Sequence, residues 1–288
     1  MSSRAFTAFV AALLLALGAV GGASCRSERR GTSDIDAQHL RVVALVPSLV
    51  EDLCAIGAAD QLTGVSSATR DVPCAKGVPV VADFSSVDVE KIVALHADLV
   101  VAIPAQAHLV EPLRQAGIDV ELLDDDSFAN IFDDITALGR LTSRRPQAAA
   151  LNRSLRAQTA HLIAGRRFKR TPTVFVALGT GPIYTCGPTS YIATLIGLAG
   201  GTNAVTALPG AYGEYSAEAL LRLQPDAIVT DPSVGLGAVL DREPWRSLRA
   251  VRSKHILTLR DAALLERPGP RYNEGLRWLI ERLAPLAT

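Results

Sequence analysis

Asp88-Val89-Glu90-Lys91-Ile92-Val93-Ala94-Leu95-His96-Ala97-Asp98-Leu99-Val100-Val101 is echoed, well over a hundred residues later, by Ser216-Ala217-Glu218-Ala219-Leu220-Leu221-Arg222-Leu223-Gln224-Pro225-Asp226-Ala227-Ile228-Val229. Each copy opens on a helix-capping residue, carries a glutamate two places later and spaces its apolar residues at helical period. Each then turns through Asp-x into an apolar strand. A first-turn carboxylate is favoured by the helix dipole alone, so the pattern by itself fits any α/β protein. A second matching pair narrows it. Leu53-Cys54-Ala55-Ile56-Gly57 and Ile196-Gly197-Leu198-Ala199-Gly200 both read as helix ends stopped by glycine, and each precedes its glutamate-bearing helix. The chain is thus read as two lobes of similar construction.

Working outward, Leu40 to Val46 reads as the first strand, ended by Pro47, and Ser48 with Glu51 as a capping box opening a helix to Ile56. The alternation continues with strands at Gln61–Ser66, Val78–Val81 and Ile118–Leu123 and helices at His108–Ala116 and Phe128–Leu141. Strand-helix alternation implies a mainly parallel sheet covered on both faces. From Pro146 to about Phe168 the residues favour one long helix, roughly 33 Å if continuous. The second half repeats the alternation, with strands at Val174–Leu178, Ala227–Thr230 and His255–Leu259 and a last helix from Asn273 to Leu283. The fold class is α/β, with two Rossmann-like lobes of mainly parallel sheet joined by one long backbone helix. The boundaries are a signal peptide at 1–25, a flexible tether at 26–39, an N-terminal lobe at 40–145, the connecting helix at 146–169 and a C-terminal lobe at 170–288.

With 288 residues, 49% of them apolar, the chain is large enough for one or two substantial cores. Its formal net charge is zero and no basic-aromatic run occurs, which argues against nucleic acid as a partner. Arg4 precedes an apolar run from Phe6 to Val20 that is short for a membrane span, followed by Gly21-Gly22-Ala23-Ser24-Cys25. That is an export signal, and the polar stretch from Arg26 to Gln38 reads as a tether. Apart from Cys25, three cysteines remain, an odd number that leaves at least one thiol without a partner in the chain. Cys54, beside Leu53 and Ile56, reads as a small core residue; a bond between Cys74 and Cys186, in loops of different halves, would lock the lobes, and the sequence leaves it open.

Enzyme signatures mostly fail. Gly179-Thr180-Gly181 follows a strand, but Pro182 comes next and the third glycine of a dinucleotide loop is missing. Histidines 39, 96, 108, 161 and 255 are dispersed with no metal-ligand spacing, so neither a metal nor a cofactor is expected.

Taken together, Arg41 to Glu51, Val80 to Glu90, Ala97-Asp98-Leu99-Val100-Val101, Gly187-Pro188-Thr189-Ser190-Tyr191-Ile192, Ala199-Gly200-Gly201-Thr202-Asn203 and Ser216-Ala217-Glu218 through Asp226 resemble the periplasmic-binding proteins of cobalamin and iron-siderophore ABC importers. The resemblance covers nearly everything from Leu40 to Pro285. It implies a ligand cleft between two lobes, and a non-enzymatic, monomeric receptor outside the cytoplasmic membrane that delivers a metal chelate to a dimeric ABC permease with its ATPase subunits. By the same resemblance Glu90 and Glu218 dock onto permease arginines, and Cys25 is the lipidated first residue of a lipobox in which Gly22 stands for the usual leucine. Phe84, Tyr184 and Tyr212 match cleft aromatics of the cobalamin binder, while Ala68 stands near one of its tyrosines and Leu264-Leu265 replace a Trp-Phe pair. Arg70, Arg267 and Arg271 are the residues able to meet carboxylate or catecholate oxygens of a ferric siderophore; for Arg271 the plainer role is a surface charge at the start of the last helix. Two further readings share the cleft: an exported hydrolase, and a heme receptor with Tyr184, Tyr191 or Tyr212 as the available ligand.

Overall fold

The computed structural model describes residues 40–166 and 169–287; the signal segment, Cys25 and the tether lie outside the described residues. The first sheet has five strands, all parallel: β1 (Val42–Ala44), β2 (Leu62–Ser66), β3 (Val80–Ala82), β4 (Leu99–Ala102) and β5 (Asp119–Leu122), in the order β3-β2-β1-β4-β5. Helices α1 (Pro47–Ala55), α2 (Val89–Ala94) and α3 (Ala107–Gln115) connect strands of this sheet, and α4 (Asn130–Leu141) follows β5. Then comes α5 (Arg145–Ile163), the backbone helix. The second half holds β6 (Thr173–Val176), β7 (Gly179–Thr180), β8 (Ile183–Cys186), α6 (Tyr191–Leu198), β9 (Thr202–Asn203), β10 (Tyr212–Glu214), α7 (Ala217–Leu223), β11 (Ala227–Thr230), α8 (Arg249–Arg252), β12 (Ile256–Thr258), α9 (Ala263–Glu266) and α10 (Tyr272–Leu283). Its parallel sheet runs β12-β11-β6-β9, and β10-β8-β7 form a small antiparallel sheet that the alternation in sequence did not announce.

The internal repeat is real down to single hydrogen bonds. Asp88 Oδ1 accepts from the Lys91 amide at 2.9 Å and Ser216 Oγ from the Ala219 amide at 3.1 Å, capping α2 and α7 alike. Both helices are followed by a non-glycine residue in the left-handed region, His96 at φ 51° and Gln224 at φ 43°. The aspartate two places on then ties its own strand to the central one: Asp98 accepts from the Arg41 amide ahead of β1 at 2.8 Å, and Asp226 from the Thr173 amide of β6 at 2.9 Å. The glycine stops match too. Ala58 and Gly201 amides reach back five residues to Leu53 and Ile196 carbonyls, at 2.8 and 2.9 Å, the outer bond of a Schellman motif around Gly57 and Gly200.

Strand side chains alternate between two cores. Val42, Ala44, Leu99 and Val101 face one cluster; Val43, Leu45, Val100 and Ala102 face another. In the second sheet Val174, Val176 and Val229 join the first of these clusters, and Phe175, Ala177 and Ile228 form a third with Trp245. One apolar interior therefore runs beneath both sheets, closed by α1, α4, α5, α6 and α10. Phe128, Phe132 and Tyr272 stack edge to face within it, and Arg156 of α5 lies 3.7 Å over the Phe132 ring.

Helix α5 is shorter than the sequence suggests, 19 residues or about 28 Å, because the chain leaves helical geometry at Ala164, before Gly165. It grips both lobes: Asn152 donates to Phe132 O (2.9 Å) and Thr136 (3.0 Å) on α4, while Leu155 O accepts from Tyr272 (3.1 Å) and Asn273 (3.0 Å) on α10.

Two expectations about α1 are corrected. No capping box forms; Val46 is the cap residue, Pro47 presets the first turn, and Ser48 is buried inside the helix. Cys54 is not a lone core residue, since it is disulfide-bonded to Cys74 with Cα atoms 6.4 Å apart, and the thiol without a bond is the buried Cys186. A Cys74–Cys186 bond locking the lobes is thereby excluded.

Candidate functional site

A cavity of about 330 Å³ opens between the lobes. Its first wall is built from the segments just past the carboxyl end of each strand of the five-stranded sheet: Leu45 to Ser48 after β1, Ser66 and Ala68 at β2, Phe84 after β3, Ile103 and Gln106 after β4, and Asp125 after β5. Its second wall is the stretch from Ala262 to Pro268, containing α9. Parallel sheets place ligands at this edge because the loops there converge and the strands need no polar partner from them.

Phe84 is presented by a tight turn. Asp83 Oδ1 accepts from the Ser85 and Ser86 amides at 2.8 and 2.7 Å, and the aromatic ring at the turn's tip is 86% exposed. An apolar side chain held out in this way loses about 2 kcal/mol of available burial, which a ligand covering it would recover.

Arg267 lines the cavity but is already engaged. It donates to Glu51 Oε1 of α1 at 3.2 Å and to Asp71 at 3.0 Å, bridging the lobes. Burial raises the Glu51 carboxyl, with Arg267 acting against it. Burial also raises Asp71, but the hydrogen bond and charge of Arg267 outweigh it and the carboxyl falls below its ordinary value. The disulfide holds this arrangement, for Cys54 shares α1 with Glu51 and Cys74 follows Asp71 closely. Gly275 of α10 sets the position of the second wall: a Cβ there would stand 2.0 Å from Leu264 O.

The two remaining charges on the cavity are acidic. Burial and then neighbouring Asp126 push Asp125 up to about 6. Glu266, open to solvent yet hemmed by the walls, is pushed to about 7 by desolvation and by its hydrogen bond to Asp231. Asp124, Asp125 and Asp126 are the one group among the described residues whose ligand atoms, within 4.8 Å of one another, are close enough to share a cation; two of the three are exposed.

Other expected residues lie outside the cavity lining. Arg271, at the start of α10, pairs with Glu274 at 3.0 Å and Asp261 at 3.3 Å, the helix-start role. Arg70 is exposed on the turn beside Ala68. Tyr184, on β8, is 40% exposed. Tyr212 on β10 is half-buried, and burial first, then Cys186, Asp125 and Glu266, raises its hydroxyl, so it sits within electrostatic reach of the cleft acids. Glu90 and Glu218 are exposed in the first turns of α2 and α7. Both helices run back from the carboxyl edges of their sheets, so both glutamates stand at the cleft-bearing ends of their lobes. Glu51, Asp71, Asp125 and Glu266 were missed as site residues. A run of three aspartates directly after a predicted strand, at the edge where ligands bind, was the available signal.

The family model for periplasmic binding proteins matches residues 42–263. The chain belongs to that family. Among relatives of this periplasmic binding protein, an uncharacterised ABC transporter substrate-binding lipoprotein of Bacillus subtilis is 30% identical over 263 residues, covering 87% of this chain and 82% of the relative. Among solved structures, the periplasmic vitamin B12 binding protein of Vibrio cholerae superposes with a TM-score of 0.71 at 26% identity, covering 86% of this chain and 97% of that one. A periplasmic heme binding protein of Pseudomonas aeruginosa superposes with a TM-score of 0.74 at 26% identity, with coverage of 86% and 94%.

Proposed function

We propose that this periplasmic binding protein is the receptor of an ABC importer, taking a corrinoid or a ferric siderophore into the cleft and handing it to the permease outside the cytoplasmic membrane. The carrying observation is the cavity shared by both lobes, with Phe84 held out at its edge. A flat, partly apolar chelate would cover that ring while loops from both sheets surround its rim. Similarity to the vitamin B12 binding protein supports the corrinoid. Phe84 and Arg267 are the ligand-side residues on the cavity itself; Tyr212, Tyr184, Arg70 and Arg271 are reached only by a ligand that extends beyond it.

Glu90 and Glu218 are the permease-docking pair. Exposed carboxylates at fixed separation steer docking onto two basic patches more than they tighten it. Cys25, outside the described residues, is the lipid attachment point. The test is a ligand panel of cyanocobalamin, cobinamide, heme and ferric siderophores read by thermal shift, together with uptake by cells carrying Glu90→Ala and Glu218→Ala. Uptake is expected to vanish in the double variant while binding persists; lost binding would remove the docking role. Cys25→Ser is expected to release the protein from membranes.

A second reading has one observation in its favour. Asp125 and Glu266 face the cleft with pKa values near 6 and 7, suited to proton transfer. Family membership weighs against a hydrolase. Recovery of every bound chelate chemically unchanged, by chromatography after prolonged incubation, would dismiss it.

A further inference from the structure

The cavity carries three charged residues: Arg267, Asp125 and Glu266. Arg267, the cation a negatively charged ligand would need, is spoken for by Glu51 and Asp71 from the opposite lobe, at 3.2 and 2.9 Å. Asp125 comes from the first lobe and Glu266 from the second, so a ligand between the lobes meets a carboxyl on either side. Neither has a basic partner of its own among the described residues. Arg271, the other arginine near this wall, is held by Glu274 and Asp261.

We propose that Asp125 and Glu266 are specificity-determining residues that reject anionic chelates and admit neutral or cationic ones whose rims offer hydrogen-bond donors. The inference rests on the receptor reading above and sharpens it to a charge class. Carboxamide N–H groups around a corrin ring, or the ammonium of a cationic hydroxamate siderophore, donate to these carboxyls. Propionates of heme and the oxygens of a ferric tris-catecholate bring like charge between two carboxyls that come from opposite walls of the cavity.

The experiment compares dissociation constants of the full chain for five probes: cyanocobalamin, diaquocobinamide, a cationic ferric trihydroxamate, heme and an anionic ferric tris-catecholate. The same panel is run on Asp125→Asn, Glu266→Gln and the double variant, each checked for an unchanged circular dichroism spectrum. For the natural sequence the better of the two anionic probes is expected to bind at least about tenfold more weakly than the best neutral or cationic one. The ratio is expected to collapse towards one in the double variant, with each single change giving part of the effect. An unchanged ratio in the double variant, or anionic probes binding the natural protein as well as the others, overturns the charge selection and leaves the receptor reading standing. Failure of all five probes to bind the natural protein overturns the receptor reading, and the inference with it.

Discussion

Asp52 of α1 is fully buried, and neither of its carboxylate oxygens has a hydrogen-bond partner. Across from it on α4 lies Asp134, 5% exposed. Burial first, then Asp134 and Glu51, holds Asp52 well above the ordinary carboxylate range, and burial followed by Asp125 and Asp124 pushes Asp134 to about 8. A carboxyl kept neutral in the folded state but near 3.8 when unfolded binds a proton that unfolding releases. Stability contributed this way is present below about pH 4 and is lost as pH rises towards about 8. Asp134→Asn removes the linked proton, so its thermal midpoint should exceed that of the natural protein by several degrees at pH 8 and the two should converge near pH 4. A constant offset across that range would show that the aspartate is not the linked group. Nothing in the spacing of α1 warned of this, since Asp52 occupies an ordinary interior helix position in the sequence.

Among elements, the link between α1 and the loop after β2 has the clearest energetic signature. The Cys54–Cys74 bond closes a loop of 20 residues, worth about 3 kcal/mol by its effect on the unfolded chain. Replacing both cysteines by serine should lower the unfolding free energy by about that amount in urea titrations, and should also weaken chelate binding, because Asp71 rides on the freed loop and partners Arg267. Equal loss of stability with intact binding would separate the two effects.

This element also shows what could be read beforehand. Strand β11 stands at its predicted bounds, and α2 and α7 begin directly after the capping Asp88 and Ser216, because capping residues and apolar period are local signals. The disulfide partner was invisible, because choosing among three thiols needs distances. The small sheet of β7, β8 and β10 escaped notice because strands of two to four residues carry too few positions to show alternation. Of the residues on the cavity, Phe84 was legible through resemblance and Arg267 through its chemistry, whereas the pairing of Arg267 with residues 216 and 196 positions away has no local trace.

At the scale of the whole molecule, the backbone helix and the common interior favour small-amplitude closure. Flexible strand hinges swing because little packing crosses them; here α5 is bonded to α4 through the half-buried Asn152 and to α10 through the buried Asn273. Small-angle scattering with and without a bound chelate should give radii of gyration within about 1 Å of each other. A larger contraction would mean that α5 bends or unwinds. The continuous interior predicts that neither half is self-sufficient. Polypeptides 40–143 and 144–287, produced separately, should each collapse without a cooperative melting transition and regain one only on mixing, by fragment complementation. The doubled architecture, legible in matching caps and clamps, is thus a repeat in pattern whose two copies are fused through one buried seam.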